Sequence, residues 1–357
     1  MSETPKENAE APPFQQSDFE RITALVSAAF QTEESLMEHG IPTYYLKQQQ
    51  ETKQAFLKLL KSLEPLNLIA ILRRVDGRIV LKVIPKPQVK PSNVMINWVL
   101  LFATIATTFI TGYILSPEVI NPYVGGATFT IAMLAVLGTH EMGHKITANK
   151  KGIEATFPYF IPGPPPFGTF GAVIMQKSLP PNKDALFDVG ADGPISGFII
   201  ATIVSVIGLT MLIPVPKNPN ANGISLPILW VLLVPVLSSF KLIPSAGSNQ
   251  DWLLHPVTFA GYVGLFVTIL NILPVAMLDG GHVARAMVGE KFRLVLSALS
   301  IIFLFYEGVY LMAFLVLFMS LYKHPGPLDD VSSLSTSRKL LAIALVAIFV
   351  LCWGAFF

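Results

Sequence analysis

The chain has 357 residues, of which 52% are hydrophobic and only 13% charged, with a formal net charge of +2. That charged share is about half of what a soluble globular protein carries, too little to cover its surface, so disordered, collagen-like and disulfide-scaffold classes are excluded and a multispanning membrane protein is expected. Cys352 is the single cysteine, so no intramolecular disulfide and no thiolate zinc site can form, and any transition metal must rest on His, Asp or Glu.

The first 94 residues hold 12 of the 25 Lys and Arg and 11 of the 23 Asp and Glu. Residues 1–16 are polar and Pro-rich and are expected to be a disordered tail. They lack the basic start and apolar core of a signal peptide. Residues 17–84 are expected to form a soluble α+β domain. Apolar spacing predicts helices over Asp18–Phe30 and Gln49–Leu63. The short runs Leu68–Leu72 and Arg78–Ile84 flank Val75-Asp76-Gly77, a hairpin signal. Residues 85–94 read as a Pro-rich linker.

From Met95 onward the chain is mostly apolar, and about 20 apolar residues span a bilayer. Spans are expected at Ile96–Leu115, Val124–Ala148, Asp192–Val215 and Pro256–Met277. Leu294–Tyr322 is interrupted at Tyr306-Glu307-Gly308 and splits into two, and Leu340–Phe356 is the last. The stretch Ile224–Leu242 carries Pro227 and Pro235 and reads as re-entrant or interfacial, or as an eighth span. Positive residues favour cytoplasmic loops. With the amino terminus inside, seven spans put Lys145–Lys183, Arg285–Arg293 and Lys323–Lys339 inside, with five, three and three Lys or Arg, and leave only Lys217 and Lys241 outside. The expected fold is therefore a polytopic α-helical membrane protein of about seven transmembrane helices, with a small membrane-associated β element and an N-terminal α+β soluble domain. Its membrane core covers 95–322, followed by a cytoplasmic loop, 323–339, and a C-terminal transmembrane helix, 340–357. The plasma membrane is the expected location.

The second span ends in Gly138-Thr139-His140-Glu141-Met142-Gly143-His144-Lys145. This is H-E-x-x-H on a helix: the i, i+4 spacing puts His140 and His144 on one face, where they can grip one Zn²⁺. Glu141 is adjacent and can take a proton from a zinc-activated water. Ionisable groups inside an apolar segment are costly, and three at metal spacing point to function. A catalytic zinc normally has three protein ligands. Of His255, Asp192, Asp279, His282 and Glu307, Asp279 stands out, because it lies at the cytoplasmic end of the fourth span, level with His140 and His144. His282 is the fallback, while His255 and Glu307 fall on the outer side.

His140-Glu141-x-x-His144 on one span, with Asn271, Pro274 and Leu278-Asp279-Gly280 on a later one, resembles the site-2 protease family of intramembrane zinc metalloproteases. The resemblance covers roughly residues 95 to 335 and joins two motifs about 130 residues apart. Phe167-Gly168-Thr169-Phe170-Gly171-Ala172 is similar to a loop of the archaeal, cyanobacterial and plant-chloroplast branch. The resemblance implies one Zn²⁺ per chain held by His140, His144 and Asp279, with Glu141 as general base and Asn271 as oxyanion stabiliser. The β-like stretches Ile153–Phe160 and Phe170–Lys177 flank Pro162-Gly163-Pro164-Pro165-Pro166, and a strand edge there could take up an unwound substrate. Gly168, Thr169, Phe170 and Gly171 are the expected substrate-binding residues. Gly193-Pro194-Ile195-Ser196-Gly197 reads as a close-packing stripe. The implied activity is endopeptidase cleavage in or near transmembrane segments of other membrane proteins, with the lipid bilayer as second partner and no nucleic acid. The alternative is a non-proteolytic metal-binding membrane protein or metal transporter. A transporter would string ionisable groups along a transit path, whereas here they cluster at one level.

Overall fold

A computed structural model describes residues 14–48, 50–88, 91–217, 223–247, 249–275 and 277–355. The tail expected over residues 1–16 lies outside them except for its last three positions. The described chain is mostly helical, with some sheet, and divides into two compact units.

The first unit is built from the described residues up to 88, together with Pro180–Lys183 and Gly326–Ser333. Its elements are α1 (Gln16–Ala29), β1 (Thr32–Glu38), β2 (Ile41–Leu46), α2 (Lys53–Leu63), β3 (Leu68–Val75) and β4 (Arg78–Pro85). The sheet order is β1-β2-β4-β3, all antiparallel, and the Asp76-Gly77 turn joins β3 to β4 as expected. The β1–β2 hairpin has no sequence signal, because Thr32–Glu38 is polar and shows no alternation. The second helix begins at Lys53 rather than at position 49. The Gln50 side chain is used instead to close the loop, donating to Gln31 O at 3.0 Å and Lys47 O at 2.8 Å and accepting from Gln31 N–H at 3.0 Å. Val26, Phe56, Leu63, Leu72 and Leu81 fill the core. The outer edge of β3 carries Leu328–Asp330: Leu72 N–H donates to Leu328 O at 2.9 Å, and Asp330 N–H donates to Leu72 O at 3.1 Å.

The second unit holds α3 (Val94–Ile114), α4 (Pro122–Lys150), β5 (Tyr159–Pro162), β6 (Thr169–Val173), α5 (Lys183–Leu209), β7 (Ile213–Pro216), α6 (Ile228–Ser239), β8 (Gln250–Leu253), α7 (Pro256–Ile272), α8 (Asp279–Tyr306), α9 (Tyr310–Ser320) and α10 (Thr336–Cys352). Three of these helices, α3, α4 and α5, are long and apolar enough to cross a membrane. Large apolar side chains such as Phe102, Ile203, Leu311 and Phe318 are exposed, which suits lipid as the solvent. The buried face packs Phe129, Met133 and Val136 of α4 against Ala201 of α5 and Val263 and Ile269 of α7.

Helix limits differ from the hydropathy pattern wherever polar groups find partners. Helix α5 starts at Lys183, nine residues before the expected Asp192. Its first turns carry Asp184 and Asp188. Arg338 grips Asp188 with two bonds of 2.9 and 2.7 Å, Lys151 adds a 2.7 Å ion pair, and Ser335 N–H donates to Asp184. Hydropathy counts those carboxylates as loop, whereas paired they belong to the helix. The expected fourth span also breaks early. Helix α7 ends at Ile272, Pro274 follows, and Asp279 opens α8 instead of closing α7. The expected intracellular loop Arg285–Arg293 is helical, part of α8, kinked at Gly289 with φ 79°. The break at Glu307-Gly308 falls where expected. In Ile224–Leu242 only the twelve residues of α6 are helical, with Pro235 inside.

Candidate metal centre

His140 and His144 share one face of α4 because four residues make about one helical turn. Their Nε2 atoms lie 3.2 Å apart. Asp279 meets both from the first turn of α8: its Oδ2 is 3.1 Å from His140 Nε2 and 3.2 Å from His144 Nε2. The three donor atoms form a nearly equilateral triangle, inside a group that could hold a metal ion. Bonds of about 2.0–2.1 Å in tetrahedral geometry put ligand atoms about 3.3–3.4 Å apart, so the donor set fits zinc in spacing and in chemistry. Both histidines are almost fully buried.

The surroundings orient these ligands. His144 Nδ1–H donates to Val189 O on α5 at 2.7 Å, which leaves its Nε2 lone pair directed at the triangle. The stripe read as close packing does more than pack. A Cβ on Gly193 would stand 2.0 Å from His144 Nε2, and one on Gly197 would stand 2.8 Å from His140 Nδ1. The two imidazoles occupy the volume that these side chains would take. Ser196 Oγ between them lies 2.7 Å from Asp192 O in its own helix and 3.1 Å from Thr139 O on α4, so the two helices approach closely there.

Glu141 is buried beside the triangle, and Ile174, just past β6, lines the same cavity. Asn271, in the last turn of α7, places its Nδ2 3.4 Å from His140 Nε2. All five residues line one cavity of about 200 Å³. Part of its wall is Ala172, Val173, Ile174 and Gln176. Thus the end of β6 faces the site, while of the expected substrate residues Gly168 precedes the strand and Thr169, Phe170 and Gly171 form its first part. Gly168 packs on α3, where Thr107 Oγ1 donates to Gly168 O at 2.7 Å. Thr169 is buried with its hydroxyl donating to Ile161 O, and Phe170 is exposed.

The other candidate ligands stand apart from the triangle. His255 caps the far end of α7 by accepting Val257 N–H at 3.1 Å, and Glu307 follows the last residue of α8. Asp192 accepts a hydrogen bond from Thr147. His282 lines the cavity, but its Nδ1 pairs with His324 Nε2 at 2.8 Å. Sequence reasoning did not find the Val189 carbonyl or His324, since neither a backbone oxygen nor a histidine 42 residues further along carries a motif.

The family model for peptidase family M50 matches residues 128–315, just over half of the chain. The chain is 31% identical over 176 residues to the "Probable zinc metalloprotease EGY1, chloroplastic" of Arabidopsis thaliana, covering 49% of this chain and 32% of that protein. Its rice counterpart, from Oryza sativa subsp. japonica, is 30% identical over 249 residues, covering 66% of this chain and 42% of that protein. The Arabidopsis "Probable zinc metalloprotease EGY2, chloroplastic" is 27% identical over 222 residues, covering 60% and 38%. The chain thus spans about a third to two fifths of the length of these curated relatives. No solved structure matches it.

Proposed function

We propose that this chain, which belongs to peptidase family M50, is an intramembrane zinc endopeptidase that cleaves transmembrane segments of other membrane proteins. The observation that carries the proposal is the buried triangle of donor atoms at 3.1–3.2 Å, with Glu141 and Asn271 lining the same cavity. His140, His144 and Asp279 hold the metal in this proposal. Zinc bound there would supply Lewis acidity and bring the ionisation of water down to about pH 7. Glu141, in the same cavity as the three donor atoms, accepts the proton of the attacking water and delivers it to the leaving amine nitrogen. Asn271 Nδ2 donates to the carbonyl oxygen as negative charge develops on it. The relatives' names support the metal and the reaction class.

A helical substrate hides its peptide bonds and must be unwound first. The β5–β6 hairpin supports a strand-addition mode: one edge of β6 is paired with β5, and its end lines the cavity. We place Gly168–Gly171 on the incoming side of that strand and Ala172–Gln176 opposite the scissile bond. The test is cleavage by the purified chain of a panel of transmembrane peptides, with and without a zinc chelator. Chelator-sensitive hydrolysis is expected, and a zinc-loaded chain that cleaves none of them overturns the proposal.

Asp279→Ala is expected to lose zinc and activity together, because two histidines and water replace a three-ligand site. His282→Ala should stay loaded. Metal analysis of the two variants decides the third ligand: a loaded Asp279→Ala with an empty His282→Ala reverses the assignment.

For the membrane arrangement we propose seven spans, α3, α4, α5, α7, the second half of α8, α9 and α10, with α6 not crossing. The proposed domains are the soluble unit over 17–84, the linker 85–94, the core 95–322, a cytoplasmic loop 323–339 and a last span in 340–357. The location proposed is the cell membrane with the amino-terminal unit in the cytoplasm, although the matched plant relatives are named as chloroplastic. The distribution of Lys and Arg supports this orientation. In a Cys352→Ser background, a membrane-impermeant thiol reagent added to intact cells should label a cysteine at Asp251 and spare one at Ser333, both exposed positions. The opposite pattern inverts the molecule, and labelling at both changes the span count.

A further inference from the structure

Five polar side chains of the site cavity have roles in the proposed reaction, but His282, which lines the same cavity, has none. It sits three residues past Asp279 on α8, and residues three apart share a helix face. Its Nδ1 meets His324 Nε2 at 2.8 Å, with the rings edge-to-face at an interplanar angle of 81°. Among the described residues no hydrogen bond engages its other ring nitrogen, Nε2.

His324 is well supported. It lies in the loop after α9, is 4% exposed, and its backbone N–H points to Glu290 Oε1 at 3.4 Å. Glu290 is in turn gripped by the fully buried Arg293, through bonds of 3.0 and 2.8 Å, and stands 3.3 Å from Arg285 Nε. Burial first, then His282 and the charges of Arg293 and Arg285, push His324 down to about 3, so its imidazole is neutral. A neutral histidine pair beside an Arg–Glu–Arg cluster whose two arginines are buried is an expensive way to fill space, and an apolar pair would pack there at lower cost. The outlay makes sense if the pair sets the direction of one N–H.

We propose that His282 is a further catalytic residue: its Nε2–H hydrogen-bonds the carbonyl oxygen of the scissile peptide beside Asn271, and His324 is the positioning residue that sets its ring and tautomer. His324 Nε2–H donates to His282 Nδ1, which places the His282 proton on Nε2, the nitrogen left for the cavity. Charge developing on a carbonyl oxygen is best met by two preorganised donors, and Asn271 alone supplies one. The proposal rests on the peptidase function above.

The experiment measures kcat, KM and zinc content for the purified full chain and its variants on one transmembrane peptide. Losing an oxyanion donor lowers kcat by about 10²–10³-fold, so His282→Ala should show that loss with KM and zinc content nearly unchanged. His324→Ala should lower kcat in the same manner by about tenfold, a loss of ~1.4 kcal/mol. The double variant should be no slower than His282→Ala, because the two act as a unit. His282→Gln, which keeps a donor, should recover part of the rate. An active wild type with wild-type kcat in His282→Ala overturns this proposal alone. So does zinc loss in step with activity in both His282 variants, or additive losses in the double variant. A zinc-loaded wild type that cleaves nothing overturns the peptidase function and this proposal with it.

Discussion

Glu141→Gln is expected to abolish cleavage while leaving the metal in place. The amide has the carboxylate's shape and can still fill its place in the cavity, but it cannot accept a proton from water. General-base catalysis contributes about 10²–10⁴-fold, and the upper end applies where the base also returns the proton to the leaving nitrogen. Zinc content should not change, since His140, His144 and Asp279 are intact. Parallel metal analysis and turnover on a transmembrane peptide check this. Substantial chelator-sensitive turnover in the variant would remove Glu141 from the role proposed for it.

Gly193→Ala is the second substitution with a large expected effect, and it replaces none of the proposed catalytic or metal-holding side chains. The new methyl group would stand 2.0 Å from His144 Nε2, far inside van der Waals contact. The atom in its way belongs to a side chain, so the cheapest relief is rotation of the imidazole and not separation of α4 and α5. That rotation breaks the bond to Val189 O and carries Nε2 off the triangle. The expected variant is a folded protein with low zinc content and no activity. Its thermal unfolding should stay near that of zinc-free wild type. Full zinc occupancy with normal turnover would show that the glycine is not needed to make room for His144.

The parts of the site that were legible in the sequence are those whose geometry is local. His140 and His144 follow from one helical turn, and Asp279 from being an acid on the correct side of an apolar span. The position of Asp279 within its helix was not legible. Hydropathy runs on through Ile272–Met277, whereas Pro274 ends the helical bonding and lets α8 begin at Asp279. Partners made by folding were invisible for a similar reason. The carbonyl of Val189 has no side-chain signature, and the acids Asp184 and Asp188 look like loop until Arg338 reaches them across 150 residues. In the soluble unit the β3–β4 hairpin announces itself through Asp76-Gly77, while β1 is a polar strand that exists because β2 pairs with it.

The division of the donor triangle between α4 and α8 has a consequence in time. Some 135 residues separate His144 from Asp279, which at ordinary rates of synthesis is roughly 7–27 s of elongation. Through that interval the nascent chain holds only the two histidines. In the proposed site the metal can be gripped fully only once the Pro274 turn has formed and α8 has been made. The proposed centre is therefore completed only after α3, α4, α5 and α7 have been made, and before α9 and α10. Until that stage the proposed peptidase would be unable to cleave the other unfinished helices around it.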